Sequence, residues 1–210
     1  MKGVSQVAPG RLELVREFVN SVDLESREED LGSPAALVAW LRERSLLPAG
    51  ADDGAGAGVS GAPGEPSACD ATDADLRRAH ELREALRELL LAHHADADVP
   101  PASAVAVVES AARRARIELR FTGPAGAASV VPARPGVDGA LGELLAIVAA
   151  AQADGTWDRL KACPWDTCKW AFYDHSRNRS GVWCSMKVCG NRAKAASFRQ
   201  RRRADAHAGD

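Results

Sequence analysis

No uninterrupted apolar run in the 210 residues reaches the length of a membrane span, and the opening MKGVSQVAPG carries no signal-peptide h-region. Those two absences predict a soluble, cytoplasmic chain with no membrane partner. A nucleophile elbow of the G-x-S-x-G type is missing too, and no Ser, His or Asp stands in a recognisable catalytic setting, so no enzyme is expected. Cysteine is scarce, with five in the chain and none before Cys69, which stands alone among Gly, Ala and Pro and reads as a bystander. A reducing cytosol favours metal over disulfide for the other four.

Those four form two matched pairs, Cys163/Cys168 and Cys184/Cys189. Two sulfurs from each of two tight turns are what a tetrahedral Zn²⁺ needs, and a complete four-sulfur shell leaves no position for water. The metal is therefore expected to be structural, one ion per chain. Buried free thiols or disulfides are the alternative. Asp174 and His175 lie between the pairs, but a zinc with four thiolates has no activated water to offer them. His175 replacing one cysteine as a ligand is the remaining variant.

Charge divides along the chain. The formal net charge is −2, yet residues 157–203 hold 12 Lys or Arg against three Asp, and residues 1–156 hold 15 basic against 24 acidic side chains. An acidic body joined to a basic end suits a nucleic-acid contact confined to that end. The spacing predicts a helix over residues 190–203, displaying Arg192, Lys194, Arg199, Arg201, Arg202 and Arg203, with Ala195, Ala196 and Phe198 left to pack. Asn191, next to the last cysteine, joins Arg192 as a base-reading or bracing residue.

WCSMKVCGNR at 183–192 resembles the CGNR-type zinc finger family of bacterial proteins, and ACP at 162–164, Trp170, Phe172, Asp174 and SRN at 176–178 fit as well. One departure stands before Trp183, where such fingers tend to carry arginines and this chain has Gly181 and Val182. Near the start, EFVNSVD at 17–23 resembles the FVNT-D opening of the ABATE-type helical domain usually fused to this finger. Members are described as transcription regulators. The resemblance thus implies DNA binding, and a helical part that senses a small molecule or mediates pairing. Asn20 and Asp23 interrupt an apolar helix end and are the candidate ligand-binding residues. Helix capping is the competing role for both.

Elsewhere the chain reads as helix. Residues 11–20 place Leu12, Val15 and Val19 on one stripe, with Leu14 and Phe18 beside it. Ser33-Pro34 opens a helix to about residue 44, with Leu37, Trp40 and Leu41 inward. Thr72 caps a long helix over 73–94 whose inner side holds Leu76, Leu82, Leu86, Leu89 and Leu90. Glu81, Arg83, Glu84, Arg87 and Glu88 cover its outside, and His93 and His94 form a solvated end. A helix over 103–115 carries Val105, Val108 and Ala112. Strands at 117–121 and 128–131 flank a Gly-Pro turn at 123–126, a helix over 138–153 holds Leu141, Leu144, Leu145 and Val148 inward, and Gly155 ends it. Residues 157–160 read as a strand running into Cys163. Gly56-Ala-Gly58-Val-Ser-Gly61 matches a dinucleotide fingerprint literally but lacks the strand before it and the helix after it, so no nucleotide cofactor is expected.

The fold class expected is mainly α (α+β): a helical sensor or dimerisation domain over 1–155 with a small hairpin, a treble-clef-like zinc finger over 156–204, and a tail over 205–210. The function expected is a zinc-dependent DNA-binding transcription regulator, a homodimer paired through apolar helical faces. An RNA-associated zinc module and an interaction protein with zinc as a folding staple are the alternatives.

Overall fold

The computed structural model describes residues 7–48, 70–94, 99–121 and 126–207, with side chains through residue 205. Cys69, the glycine motif at 56–61 and most of the turn at 123–126 lie outside them. The first helix is Leu12–Val19 (α1), and its apolar stripe of Leu12, Val15, Phe18 and Val19 is buried. Val22–Asp23 (β1) and Glu28–Glu29 (β2) make a minimal antiparallel pair. Pro34–Glu43 (α2) starts where the sequence signals it: Ser33 Oγ accepts the Ala36 N–H at 3.1 Å, and Pro34 fills the first turn, where its missing N–H costs nothing.

Asp73–Ala92 (α3) opens on a capping box, with the Thr72 hydroxyl accepting the Asp75 N–H and the Asp75 carboxylate accepting the Thr72 N–H. Ala102–Ala115 (α4) follows. Its buried line is Ala104, Ala111 and Ala115, not Val105 and Val108, which stay half-buried. Small side chains let α4 lie close against its neighbours. Ile117–Phe121 (β3) and Ala128–Pro132 (β4) form the expected antiparallel hairpin, with Ile117 opposite Pro132 and Phe121 opposite Ala128. Gly136–Asp154 (α5) ends at Gly155, which takes the left-handed conformation (φ 76°) that closes a helix.

Helix α5 is long and apolar enough to cross a membrane by length and composition, and 61% of that window is buried inside the fold. It is the central core helix, packed by α1, α4 and β4 on different sides, which is why it is apolar nearly all round.

The C-terminal part departs from its expected start. Trp157–Arg159 is a 3-10 turn, and the strand is Leu160–Ala162 (β5), paired antiparallel with Ala171–Tyr173 (β6). Thr156 N–H still bonds Ala151 O at 2.9 Å, so the chain is curling back to α5 where an extended run was expected. A π-helical turn at Met186–Gly190 leads into Asn191–His207 (α6). Small antiparallel hairpins beside a majority of helix, with the cysteines gathered at the C-terminal end, make a mainly α architecture.

The interior does not stop at Gly155. Leu160, Ala162, Ala171 and Tyr173 share one apolar cluster with Phe18, Leu86, Leu90 and Leu144. Polar groups stitch the same seam. Arg83 and Arg87, placed by their charge on the outer face of α3, are buried instead, Arg87 to 3% exposure. Arg87 donates to Val19 O at 2.6 Å, to Lys169 O at 2.8 Å and to Glu84 at 2.9 Å, while Arg83 grips Glu29 with two bonds of 2.7 and 2.8 Å. A guanidinium with several donors is tolerated inside only when nearly all are spent, and here they are. The two histidines expected at a solvated helix end are likewise spoken for. His93 bonds Leu160 O at 2.7 Å and His94 bonds Ala162 O at 2.6 Å, so the end of α3 is pinned along β5. Burial pushes both imidazoles below their ordinary pKa.

Candidate metal centre and basic helix

The turn between β5 and β6 carries Cys163 and Cys168, and the π-helical turn delivers Cys189 five residues after Cys184. The ligand atoms of all four lie within 4.8 Å of one another. Cys168 and Cys184 sulfurs are 3.5 Å apart, and Cys184 and Cys189 sulfurs 3.7 Å. A tetrahedron with ~2.3 Å zinc–sulfur bonds has edges of roughly 3.8 Å. Both separations are close to those edges, as a single tetrahedral Zn²⁺ requires.

Charge gives an independent reason for a cation. Sulfhydryl bonds from Cys168 and then Cys184 hold the Cys163 thiol at about 2, and that thiolate in turn pushes Cys168 up to about 12 and Cys184 higher still. Burial pushes Cys189 up as well. Four thiolates this close repel one another, and a divalent ion among them offsets two of their four charges and so favours the ionised forms. Main-chain N–H groups of Cys184 and Trp165 point at the Cys163 sulfur, and that of Trp170 at Cys168, which favours the thiolate forms.

His175 is not a ligand. Its Nε2 meets Val7 O at 2.9 Å, away from the sulfurs. Asp174 belongs to a buried knot with Lys161: the ammonium lies 2.9 Å from Oδ2 and also donates to Arg179 O and Gly181 O at 2.6 and 3.1 Å. Burial alone would raise the Asp174 pKa, but bonds from Ser176, Lys161 and Gly181 pull it well below the carboxylate range. The same knot explains the departure at 181. A Cβ there would sit 2.6 Å from Asp174 Oδ1, so a side chain is excluded while Gly181 N–H donates to Asp174 at 2.7 Å.

Of the two candidate ligand-binding residues, Asn20 is committed elsewhere. Its Nδ2 donates to Ala171 O at 2.9 Å and its Oδ1 accepts the Ala171 N–H at 2.7 Å, so the carboxamide of α1's end acts as a pairing partner for β6. Asp23 Oδ1 accepts the N–H groups of Glu25 and Ser26 at 3.0 and 3.4 Å and shapes the β1–β2 turn. The concavity of about 590 Å³ beside α5 and β4 is lined by neither residue. Replacing Asn20 by Ala strands two buried main-chain groups, and we expect a loss of about 3 kcal/mol in denaturant unfolding. A residue serving only a ligand would leave unfolding unchanged.

A family model described as "Putative stress-induced transcription regulator" (ABATE) matches residues 12–155. The chain belongs to the ABATE family. A second model, the CGNR zinc finger, matches residues 159–202 and spans the four-sulfur cluster, so the centre of this ABATE protein is that of one structural zinc ion. No curated protein matches the chain.

The basic candidates divide into two groups. Arg199, Arg201, Arg202 and Arg203 lie on a stretch of α6 exposed from Ser197 to Asp205, and Lys194 is exposed one turn earlier. Phe198, expected to pack, is 55% exposed, with the Arg202 guanidinium 6.0 Å from its ring centre. Asn191 braces the turn instead, donating to Lys187 O at 3.0 Å. Arg192 is ion-paired with Glu25 at 2.7 Å. That partner was not legible in the sequence, because 167 positions separate the two and only the fold joins them. Arg87, Lys161 and Lys169 were missed for the same reason: charge suggested surface, and the only hint, for the two lysines, was their place beside the first cysteine pair.

Proposed function

We propose that this ABATE protein is a transcription regulator that holds duplex DNA through α6, with the zinc cluster fixing the helix start and residues 1–155 serving regulation and pairing. The observation that carries the reading is the disposition of α6. Six Lys or Arg and no acid fall from Asn191 through Arg203, and the side chains of the helix are exposed from Ser197 to Asp205. A basic helix with an exposed run of arginines, anchored at its first turn by a metal ligand, is suited to phosphate and groove contact. A four-thiolate shell would leave zinc no open position for water, and we read the chain as a binding protein on that ground. An effector of the helical part would bind away from Asn20, whose carboxamide is paired with the main chain of Ala171.

Fluorescence anisotropy with labelled duplex DNA and single-stranded RNA across a salt series tests it. Duplex preference with a log–log salt slope of about −0.9 per phosphate contacted supports the reading. RNA preference would assign an RNA-associated module, and no binding at low salt would leave zinc as a staple for a protein interaction. The Glu25–Arg192 pair adds a finer expectation. Both groups are substantially exposed, so the pair is weak and a phosphate can displace the carboxylate. Glu25→Gln should therefore raise DNA affinity a few-fold at low salt, by freeing Arg192. Unchanged affinity would remove Arg192 from the interface.

A further inference from the structure

Apolar helical faces in residues 1–155 were the expected pairing surface, but among the described residues they are spent in the core. The large exposed apolar side chains of that part are Val7, Leu24, Val99, Leu119 and Phe121, none on a helix, and the most prominent neighbours among them are Leu119 (58% exposed) and Phe121 (68%) on β3. We propose that the outer edge of β3 pairs antiparallel with the same edge of a second copy, joining two hairpins into one four-stranded sheet.

Main-chain geometry selects that edge. Pro132, opposite Ile117, has no N–H, while Ala133 N–H donates to Arg116 O at 3.1 Å. The hydrogen-bonded pairs of the hairpin are then 116/133, 118/131 and 120/129, and alternation turns the N–H and C=O groups of Ile117, Leu119 and Phe121 to the outer side. Among the described residues no strand lies there. The opposite edge, on β4, carries Pro132, which cannot donate to a partner strand and guards that side.

Side-chain order selects the partner. IELRF alternates apolar, acidic, apolar, basic, apolar about Leu119. With a two-fold axis at Leu119, Glu118 of each copy faces Arg120 of the other, Ile117 faces Phe121, and Leu119 faces Leu119. Only the antiparallel arrangement does this; parallel in-register pairing sets Glu against Glu and Arg against Arg. Glu118 and Arg120 are about half exposed, at 52% and 54%, and pair with each other along the strand at 3.5 Å, a weak exposed contact that each can exchange for the opposite charge of the second copy. The inference rests on the ladder and charge order of β3 and stands or falls separately from the nucleic-acid reading.

The test uses the full zinc-loaded chain in sedimentation and light scattering over micromolar to submillimolar concentration. The expected result is a mass rising from one copy to two. E118R and R120E each place like charges across the pair twice, and should weaken self-association at least about tenfold. Mixing the two variants restores opposite charges, as does the double swap E118R/R120E, and both should recover wild-type association. Circular dichroism and zinc content confirm that each variant is folded. A wild-type chain monomeric throughout, single variants that associate like wild type, or a mixture and a double swap that do not recover would each overturn the proposal.

Discussion

Stripping zinc from the four-cysteine centre should cost on the order of 10 kcal/mol and loosen more than the finger. The small C-terminal module has little interior of its own: apart from the four cysteines, the cluster around the metal is Phe172 with half-buried Trp165 and Trp183. The loss would not end there, because β5 and β6 lie in the main core and Asn20, Arg87, His93 and His94 bond to the main chain of residues 160–171. Chelation or Cys184→Ser should therefore speed amide exchange at the C-terminal end of α3 as well as in β5 and β6. A helical part whose exchange and unfolding are unchanged by zinc removal would refute the coupling. Proton release should accompany rebinding, since Cys168, Cys184 and Cys189 have raised pKa values and must ionise to bind. Lower pH restores those protons, so zinc affinity falls with acid.

The second large effect lies at the other end of the finger. Replacing Arg201, Arg202 and Arg203 together by Ala should lower duplex affinity about a hundredfold at 0.15 M salt and shallow the log–log salt slope by up to about three. None of the three is in the core, so folding and zinc content should be unchanged. An unaltered slope would show α6 to be a solvated charge run and would move any nucleic-acid contact elsewhere on the finger. Arg192→Ala separates positioning from reading: a uniform loss over all sequences marks a phosphate contact, a sequence-dependent loss marks a base contact.

Much of this protein is decided within a few residues. Ser33-Pro34, the Thr72 capping box and Gly155 start or stop helices through hydrogen bonds and φ preferences that involve only their neighbours. The cysteine pairs are as local: each brings two sulfurs together within one turn, so the metal centre was legible before any fold. The α1 stripe and the inward leucines of α5 followed from periodicity alone.

What the sequence could not settle is which polar groups go inside and which distant groups meet. Arg83 and Arg87 have the charge of surface residues, and only the approach of Glu29, Val19 O and Lys169 O makes their burial affordable. Asn20 looked like a cap or a pocket residue until β6 arrived to take both ends of its amide, and His93 and His94 until β5 supplied carbonyls. Glu25 and Arg192 meet only because the β1–β2 turn and the zinc turn are carried to the same place. Local propensity acts over one turn of chain, whereas the free energy of a buried polar group depends on partners that tertiary packing alone brings within bonding distance.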